Sequence, residues 1–289
     1  MKRIDLHTHS TASDGTCSPE ELVRLAAASG LAAVGITDHD TVSGYAAAAA
    51  AGVKAGVEVV PGIEISTKYG GAVHILGYCI DPLSPSLAPV LEWVVRDRDE
   101  RNRRMAELMA ADGLDVDYAA MRRRFGEVIG RPHFAELLVE QGVARDMKDA
   151  FARFVDKGQR YYLPRNFLSI ERSIALIALA GGVPVLAHPF QYKRDDASLR
   201  KLIEHCTDSG LRGMECRYSG YSAEQSAYLE RLAEEYGLIK TGGSDFHGSN
   251  KPQIRLGSGM GGLEVPYEFL DRLKEAAGKR SALKKFFFR

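Results

Sequence analysis

The sequence predicts an α/β protein: a closed barrel of about seven strands with helices outside it, interrupted by a helical insertion. Three observations carry this. Strand-like and helix-like stretches alternate through the first third of the 289 residues and again after residue 169. Repeated βα units imply a parallel sheet with helices packed outside it. Some seven strand patterns in one chain favour closure over an open sheet. Between the two alternating segments only helix-like patterns occur. The expected organisation is therefore barrel over 1–95, helical cap over 96–168 and barrel again over 169–289.

Each element has its own signal. "RIDLH" reads as a short strand. "SPEELVRLAAASG" reads as a helix, with Ser18 as N-cap, Pro19 at the first helical position, Glu21 completing a capping box and Gly30 as the stop. "LAAVGITDHD" is a buried strand, and "GYAAAAAAGVKAG" an alanine-rich helix. "VEVVPGIEIS" and "AVHILGYCI" are two further strands. The second segment runs helix "SIERSIALIALAGG", strand "VPVLAHP", helix 195–209, strand "LRGMECR", helix 222–236 and strand "LIKTGGSDFH". An amphipathic helix over roughly 266–277 closes it.

The insertion contains "RDRDERNRRMAELMAADG", "DYAAMRRRFG", "RPHFAELLVEQG" and "MKDAFARFVDKG". Residues 96–165 hold fifteen Lys/Arg and thirteen Asp/Glu, which reads first as a solvated helical surface and second as a cap offering arginines to an anion. The tail "GKRSALKKFFFR" is expected to pack its phenylalanines on the barrel.

Bulk composition excludes several classes. Lys+Arg and Asp+Glu are both 38, so no global field recruits nucleic acid or membrane. Cys17, Cys79, Cys206 and Cys216 show no C-x-x-C spacing, which suits reduced thiols in a cytoplasmic protein. No signal peptide and no membrane-length apolar run is read. A P-loop or dinucleotide fold is excluded by the absence of a suitable Gly-rich strand-to-helix turn.

The chemistry gathers at strand ends. His7 and His9 are two apart on the first strand, so both imidazoles face one side. Asp245 and His247 repeat that spacing on the last strand. His39, Glu64, His74 and His188 lie in the strands between, and Asp14 in the turn after the first. In a βα barrel the carboxyl ends of the strands meet at one mouth. One strand-end histidine usually just satisfies a hydrogen bond. Six imidazoles and three carboxylates at one mouth would repel and desolvate badly unless cations bound them. Nine ligands suit two or three ions with a bridging carboxylate.

In order, "DLHTHSTASDG", "GITDHD", "GIEIS", "HILGY", "AHP" and "GSDFH" resemble the successive motifs of the polymerase and histidinol phosphatase (PHP) family of the amidohydrolase superfamily. The resemblance implies a distorted (β/α)7 barrel with a two- or three-metal centre, and covers about three quarters of the chain. It puts His7, His9, Glu64 and Asp245 on one ion, with Glu64 bridging to a second ion held by His74 and His188. Asp14, His39 and His247 would hold a third. Manganese is the implied ion, with iron or zinc as alternatives.

The motif order and the insertion with "GRPH" resemble the branch that includes 3′,5′-nucleoside bisphosphate phosphatases, some of whose relatives are 5′→3′ exoribonucleases. The implied activity is removal of the 3′-phosphate by a metal-bridging hydroxide. An exoribonuclease taking short oligonucleotides, a histidinol-phosphate phosphatase and a non-catalytic scaffold module are the alternatives. The scaffold reading predicts eroded ligands, and all nine types stand. A small nucleotide is the expected partner, with no membrane and no obligate protein partner. Candidate substrate contacts are Asn102, Arg103, Arg131, His133, Lys157 and Arg160 in the insertion, and Arg217 and Tyr218 after "GMEC". Arg131 and His133 stand at a predicted helix N-terminus, which favours phosphate. Tyr161 or Tyr162 could stack on a base. His133 could alternatively join the metal site. No general acid is assigned.

Overall fold

The computed structural model describes residues 2–126 and 128–287, and for 279–287 the backbone alone. Packing of Phe286, Phe287 and Phe288 therefore lies outside the described side chains. The chain divides into two compact units, Met1–Pro89 with Phe167–Arg289, and Val90–Asn166.

The first unit is built on eight strands: β1 (Arg3–Asp5), β2 (Leu31–Ile36), β3 (Glu58–Lys68), β4 (Ala72–Tyr78), β5 (Val183–Leu186), β6 (Gly213–Tyr218), β7 (Ile239–Gly243) and β8 (Val265–Pro266). They form one sheet in the order β7-β6-β5-β4-β3-β2-β1-β8. Beyond β1 and β7 the chain closes the barrel nearly completely. Leu6 N–H donates to the Gly242 carbonyl (3.3 Å), Asp245 N–H to His7 (2.8 Å) and His9 N–H to Phe246 (2.9 Å). The distorted barrel is thus sealed at the end that carries the ligand-type residues.

The expected all-parallel sheet is corrected at two places. β1, β2 and β3 are parallel, as are β5, β6 and β7. β4 runs antiparallel to both β3 and β5, and the short, unexpected β8 runs antiparallel to β1. The reason lies in the β3–β4 connection. Parallel neighbours need a crossover of a dozen or more residues, whereas an antiparallel pair closes in a tight turn. Only Tyr69–Gly70–Gly71 joins these two strands, with Gly70 at φ +64. Ser66 then pairs with His74, and Glu64 with Leu76.

Helices α1 (Pro19–Ala28) and α2 (Tyr45–Ala55) follow β1 and β2. α1 starts where its cap requires: Ser18 Oγ accepts from Glu21 N–H at 3.2 Å, and Glu21 returns a carboxylate to Ser18 N–H at 2.8 Å. Its apolar face, Leu22, Val23 and Ala26, packs in one cluster with Val34 and Ile36 of β2. Each such Leu, Val or Ile side chain contributes about 1.5–3 kcal/mol on full burial.

The second unit is helical: most of α3 (Ala88–Ala111), then α4 (Tyr118–Phe125), α5 (Arg131–Glu140) and α6 (Met147–Ala150), which passes into a π turn over Phe151–Val155. Met105, Met109, Met121, Phe134 and Leu138 form its own core. Much of its charge is paired internally. Arg124 bonds Glu136 and Glu140, Arg160 bonds Asp112, and Arg145 and Arg153 both bond Asp149.

The first unit resumes with α7 (Ile170–Leu179), α8 (Asp196–Asp208), α9 (Ala223–Glu235) and α10 (Glu268–Phe287). α10 continues past the expected end at 277, with Gly278 inside the helix. Leu270 and Leu273 of α10 share a core cluster with Ile4, Leu76 and Val185. All four cysteines are free. Among the described residues no helix is long and apolar enough to cross a membrane.

Candidate metal centre

Alternation along the chain after β1 aims His7 and His9 at the barrel mouth and turns Thr8 away. Thr8 Oγ1 donates to the Gly35 carbonyl at 2.6 Å, and its N–H donates to Thr37 Oγ1 at 3.1 Å, which pins this segment to β2. The following turn is held by buried Asp38, which accepts from Ser10 N–H (2.7 Å) and Ser13 Oγ (2.6 Å). That turn delivers Asp14. His39 follows β2 and forms a parallel bridge with Glu64 of β3. Because β4 is reversed, His74 reaches the mouth from the start of its strand rather than from its carboxyl end.

His188 and Asp245 sit on left-handed backbone, at φ +24 and +57. Such conformations cost about 1–3 kcal/mol each and cluster at functional sites. Gly243 is required by crowding: a Cβ there would lie 2.3 Å from His7 N.

The structure brings all nine ligand-type residues into one connected cluster. Four groups have mutually close donor atoms: His7, His9 and Asp245; His7, Glu64 and His188; His39, Glu64 and His74; and His9, Asp14, His39 and His247. Glu64 spans the cluster. Its Oε1 stands 2.9 Å from His74 Nδ1 and 3.0 Å from His188 Nε2. Its Oε2 stands 3.1–3.3 Å from His39 Nδ1, His9 Nε2 and His7 Nε2. Asp245 Oδ1 lies 3.4 Å from His9 and His247 and 3.5 Å from His7. Asp14 Oδ1 lies 3.3 Å from His247 Nε2, and its Oδ2 3.9 Å from His39 Nε2.

These residues fit divalent ions. Ligands bound at about 2.1 Å stand about 3.0 Å apart in an octahedron and about 3.4 Å apart in a tetrahedron, which matches the spacings here. His7 Nε2, His9 Nε2 and His39 Nδ1 are buried and without a hydrogen-bond partner. All three face one carboxylate oxygen, an arrangement suited to sharing a cation.

The electrostatics of the protein alone are conflicted. Burial opposes the charge on His7, yet Glu215, Glu64 and Asp245 outweigh it and hold its pKa well above the usual value. Burial likewise opposes charge on His9, but the close carboxylates of Asp245 and Glu64 raise it to about 9. Burial pushes His39 down to about 3, against the pull of Glu64 and Asp14. Burial would raise Asp14, Glu64 and Asp245, but their cationic and imidazole neighbours hold all three well below the carboxylate range.

A model of the PHP domain matches residues 5–235. The chain belongs to the PHP domain family. It is 36% identical to the 3′,5′-nucleoside bisphosphate phosphatase of Chromobacterium violaceum, over 86% of this chain and 88% of that protein. It is 34% identical to a 5′-3′ exoribonuclease of Haemophilus influenzae, over 85% of this chain and 90% of that one. A crystal structure of a Bifidobacterium adolescentis protein, whose assignment as a metal-dependent phosphoesterase is provisional, superposes with a TM-score of 0.82 at 31% identity, covering 95% of this chain and 96% of that one. This PHP protein is accordingly a metal-dependent hydrolase of phosphate esters.

The expected substrate contacts are placed as follows. Tyr218 Oη donates to Asp245 Oδ2 at 2.7 Å, at the edge of the centre. Arg217 turns instead to Glu230 of α9 and the Glu264 carbonyl, both at 2.8 Å. In the helical unit, buried Asn102 donates to the Ile129 carbonyl at 2.7 Å. Arg103 pairs with Asp99 one turn away, Arg131 with Asp156 and Arg160 with Asp112. His133 Nδ1 accepts from Gly130 N–H at 2.9 Å, capping α5. Lys157 is exposed.

Sequence reasoning missed two residues at the centre and one buried arginine of the helical unit. Lys251 Nζ lies 2.6 Å from Asp245 Oδ2. Glu215 of β6 bonds to His7 and His188; an acid inside the apolar run "GMEC" was the available signal. Arg101 of α3 is buried with its Nε unpartnered, and burial plus the charges of Arg165, Arg98 and Arg131 push its guanidinium down to about 10.

Proposed function

We propose that this PHP protein removes the 3′-phosphate from nucleoside 3′,5′-bisphosphates, using two to three manganese ions. The observation that carries the reading is Glu64, one carboxylate whose two oxygens face two separate histidine sets. Its resemblance over most of both chains to a bisphosphate phosphatase supports the substrate.

His7, His9 and Asp245 would hold one ion with Glu64 Oε2. His74 and His188 would hold a second with Glu64 Oε1, and Asp14, His39 and His247 a third. Divalent ions so held supply Lewis acidity toward phosphoryl oxygens and lower the pKa of water. The chain's own contribution is fixed geometry. Tyr218 and Lys251 bind the outer oxygen of Asp245 and aim the inner one at His7, His9 and His247. The free thiols agree with a cytoplasmic setting.

A second reading rests on the exoribonuclease relative at nearly the same identity. Phosphate release from adenosine 3′,5′-bisphosphate and histidinol phosphate should be compared with nucleotide release from a 5′-phosphorylated oligoribonucleotide, using manganese-loaded protein of measured metal content. Faster turnover of the bisphosphate is expected. Faster turnover of the oligonucleotide overturns the substrate assignment, and failure to bind any ion overturns the whole reading.

A further inference from the structure

Glu215 approaches the metal centre from behind and belongs to none of the ligand groups above. It is fully buried on β6. Its Oε1 stands 3.0 Å from His7 Nδ1, and its Oε2 accepts from the backbone N–H of His188 at 2.8 Å. We propose that Glu215 is a positioning residue that fixes which nitrogen of His7 faces the ions and holds the backbone of His188 in place.

Donor and acceptor inventory leads there. A carboxylate accepts on both oxygens, and a backbone N–H can only donate. Oε2 is therefore committed to His188. Oε1 requires His7 Nδ1 to carry a hydrogen. In the neutral ring the lone pair then sits on Nε2, the atom that stands 3.3 Å from Glu64 Oε2 and 3.5 Å from Asp245 Oδ1. The second bond anchors a residue with φ +24, whose Nε2 stands 3.0 Å from the other oxygen of Glu64. One side chain thus sets a ligand after β1 and a ligand after β5 together. An outer carboxylate that orients ligating histidines is worth about 10–100-fold in metal affinity.

Glutamine has the same shape and cannot replace it. With its oxygen toward His188, its NH2 group faces His7 Nδ1 and demands a lone pair there, which moves the ring hydrogen to Nε2. With its oxygen toward His7, its NH2 group meets the His188 N–H, donor against donor.

The test compares wild type with Glu215→Gln, using zinc as a diamagnetic probe. Zinc affinity is measured by chelator competition, and ring-nitrogen NMR reads where His7 carries its hydrogen. Wild type should carry it on Nδ1, and the variant should bind zinc about 10–100-fold more weakly. Asp5→Asn is the control. Asp5 is a buried acid that accepts from Ser244 and Gly257 N–H, both at 2.8 Å, and from the backbone N–H of His7 at 3.3 Å, but none of these bonds involves a ring nitrogen. It should lower the melting temperature and leave the His7 hydrogen where it was.

Unchanged zinc affinity in Glu215→Gln, or a wild-type His7 with its hydrogen on Nε2, overturns the proposal. The wild-type measurement decides alone if the variant does not fold. The inference rests on the metal-dependent reading above. A wild type that binds no ion overturns both, whereas a wild type that binds ions beside an indifferent variant overturns this one only.

Discussion

Glu64 carries the most consequence per atom. Both of its oxygens are engaged, by five imidazole nitrogens between them. Glu64→Gln removes a shared charge without changing shape. It should lose at least one ion per chain and reduce turnover by more than the roughly 10–100-fold typical of an outer-shell loss; metal analysis and phosphate release check this. Gly243 is the steric counterpart. A Cβ there meets His7 N at 2.3 Å and His7 Cβ at 2.4 Å. Gly243→Ala should destabilise the protein by about 1–3 kcal/mol, the usual cost of overpacking, and reduce bound metal. Urea denaturation and metal content measure the two effects separately. The identities of the nine clustered residues were readable, because ligand-type side chains at strand ends stand out against apolar strands. Glu215, Lys251 and Arg101 were not. Glu215 meets His7 across 208 residues of sequence, Lys251 meets Asp245 through the bend of a loop, and neither contact has a periodic pattern.

At the scale of elements, local signals were the legible ones. The Ser18–Glu21 capping box and the strand of "LAAVGI" depend on neighbours in sequence, and both form. The reversal of β4 depends on pairing partners, which periodicity does not report, although the short "KYGG" link between two strand patterns left no room for a crossover. β6 carries an irregular register between Glu215 and Arg217, and side-chain alternation cannot be counted through such a step. The helical unit offers a pH prediction. Backbone and side-chain bonds from Arg145, with a further bond from Arg153, hold Asp149 down to about 2. A carboxylate with a depressed folded pKa stabilises above its unfolded value of about 3.9 and loses that contribution as pH falls through the folded one. Asp149→Asn should therefore melt below wild type at pH 7. The gap should close as pH falls from about 4 toward 2, read by circular dichroism.

Across the whole molecule, every ligand-type residue of the centre lies in the barrel unit. Metal binding should then not depend on the helical unit. A chain in which a flexible linker joins Pro89 to Phe167 should keep its metal content. Loss of the ions in that chain would show that the centre needs the helical unit. The alternation of strands and helices foretold the barrel. The eighth strand, only two residues long, carries too little pattern to be seen in advance.

The seam between the segments after β1 and β7 has a consequence for the life of the chain during synthesis. His7 leaves a ribosome long before its partner Asp245, which lies far along the sequence. At about 5–20 residues per second, tens of seconds separate them. Throughout that interval the N-terminal imidazoles have no final strand to bond with and only part of their ligand shell. A complete set of ligand-type side chains is available only after the segment carrying Asp245 and His247 is free of the tunnel. A metal that arrives early meets a half-built cradle, held by fewer donors and free to leave.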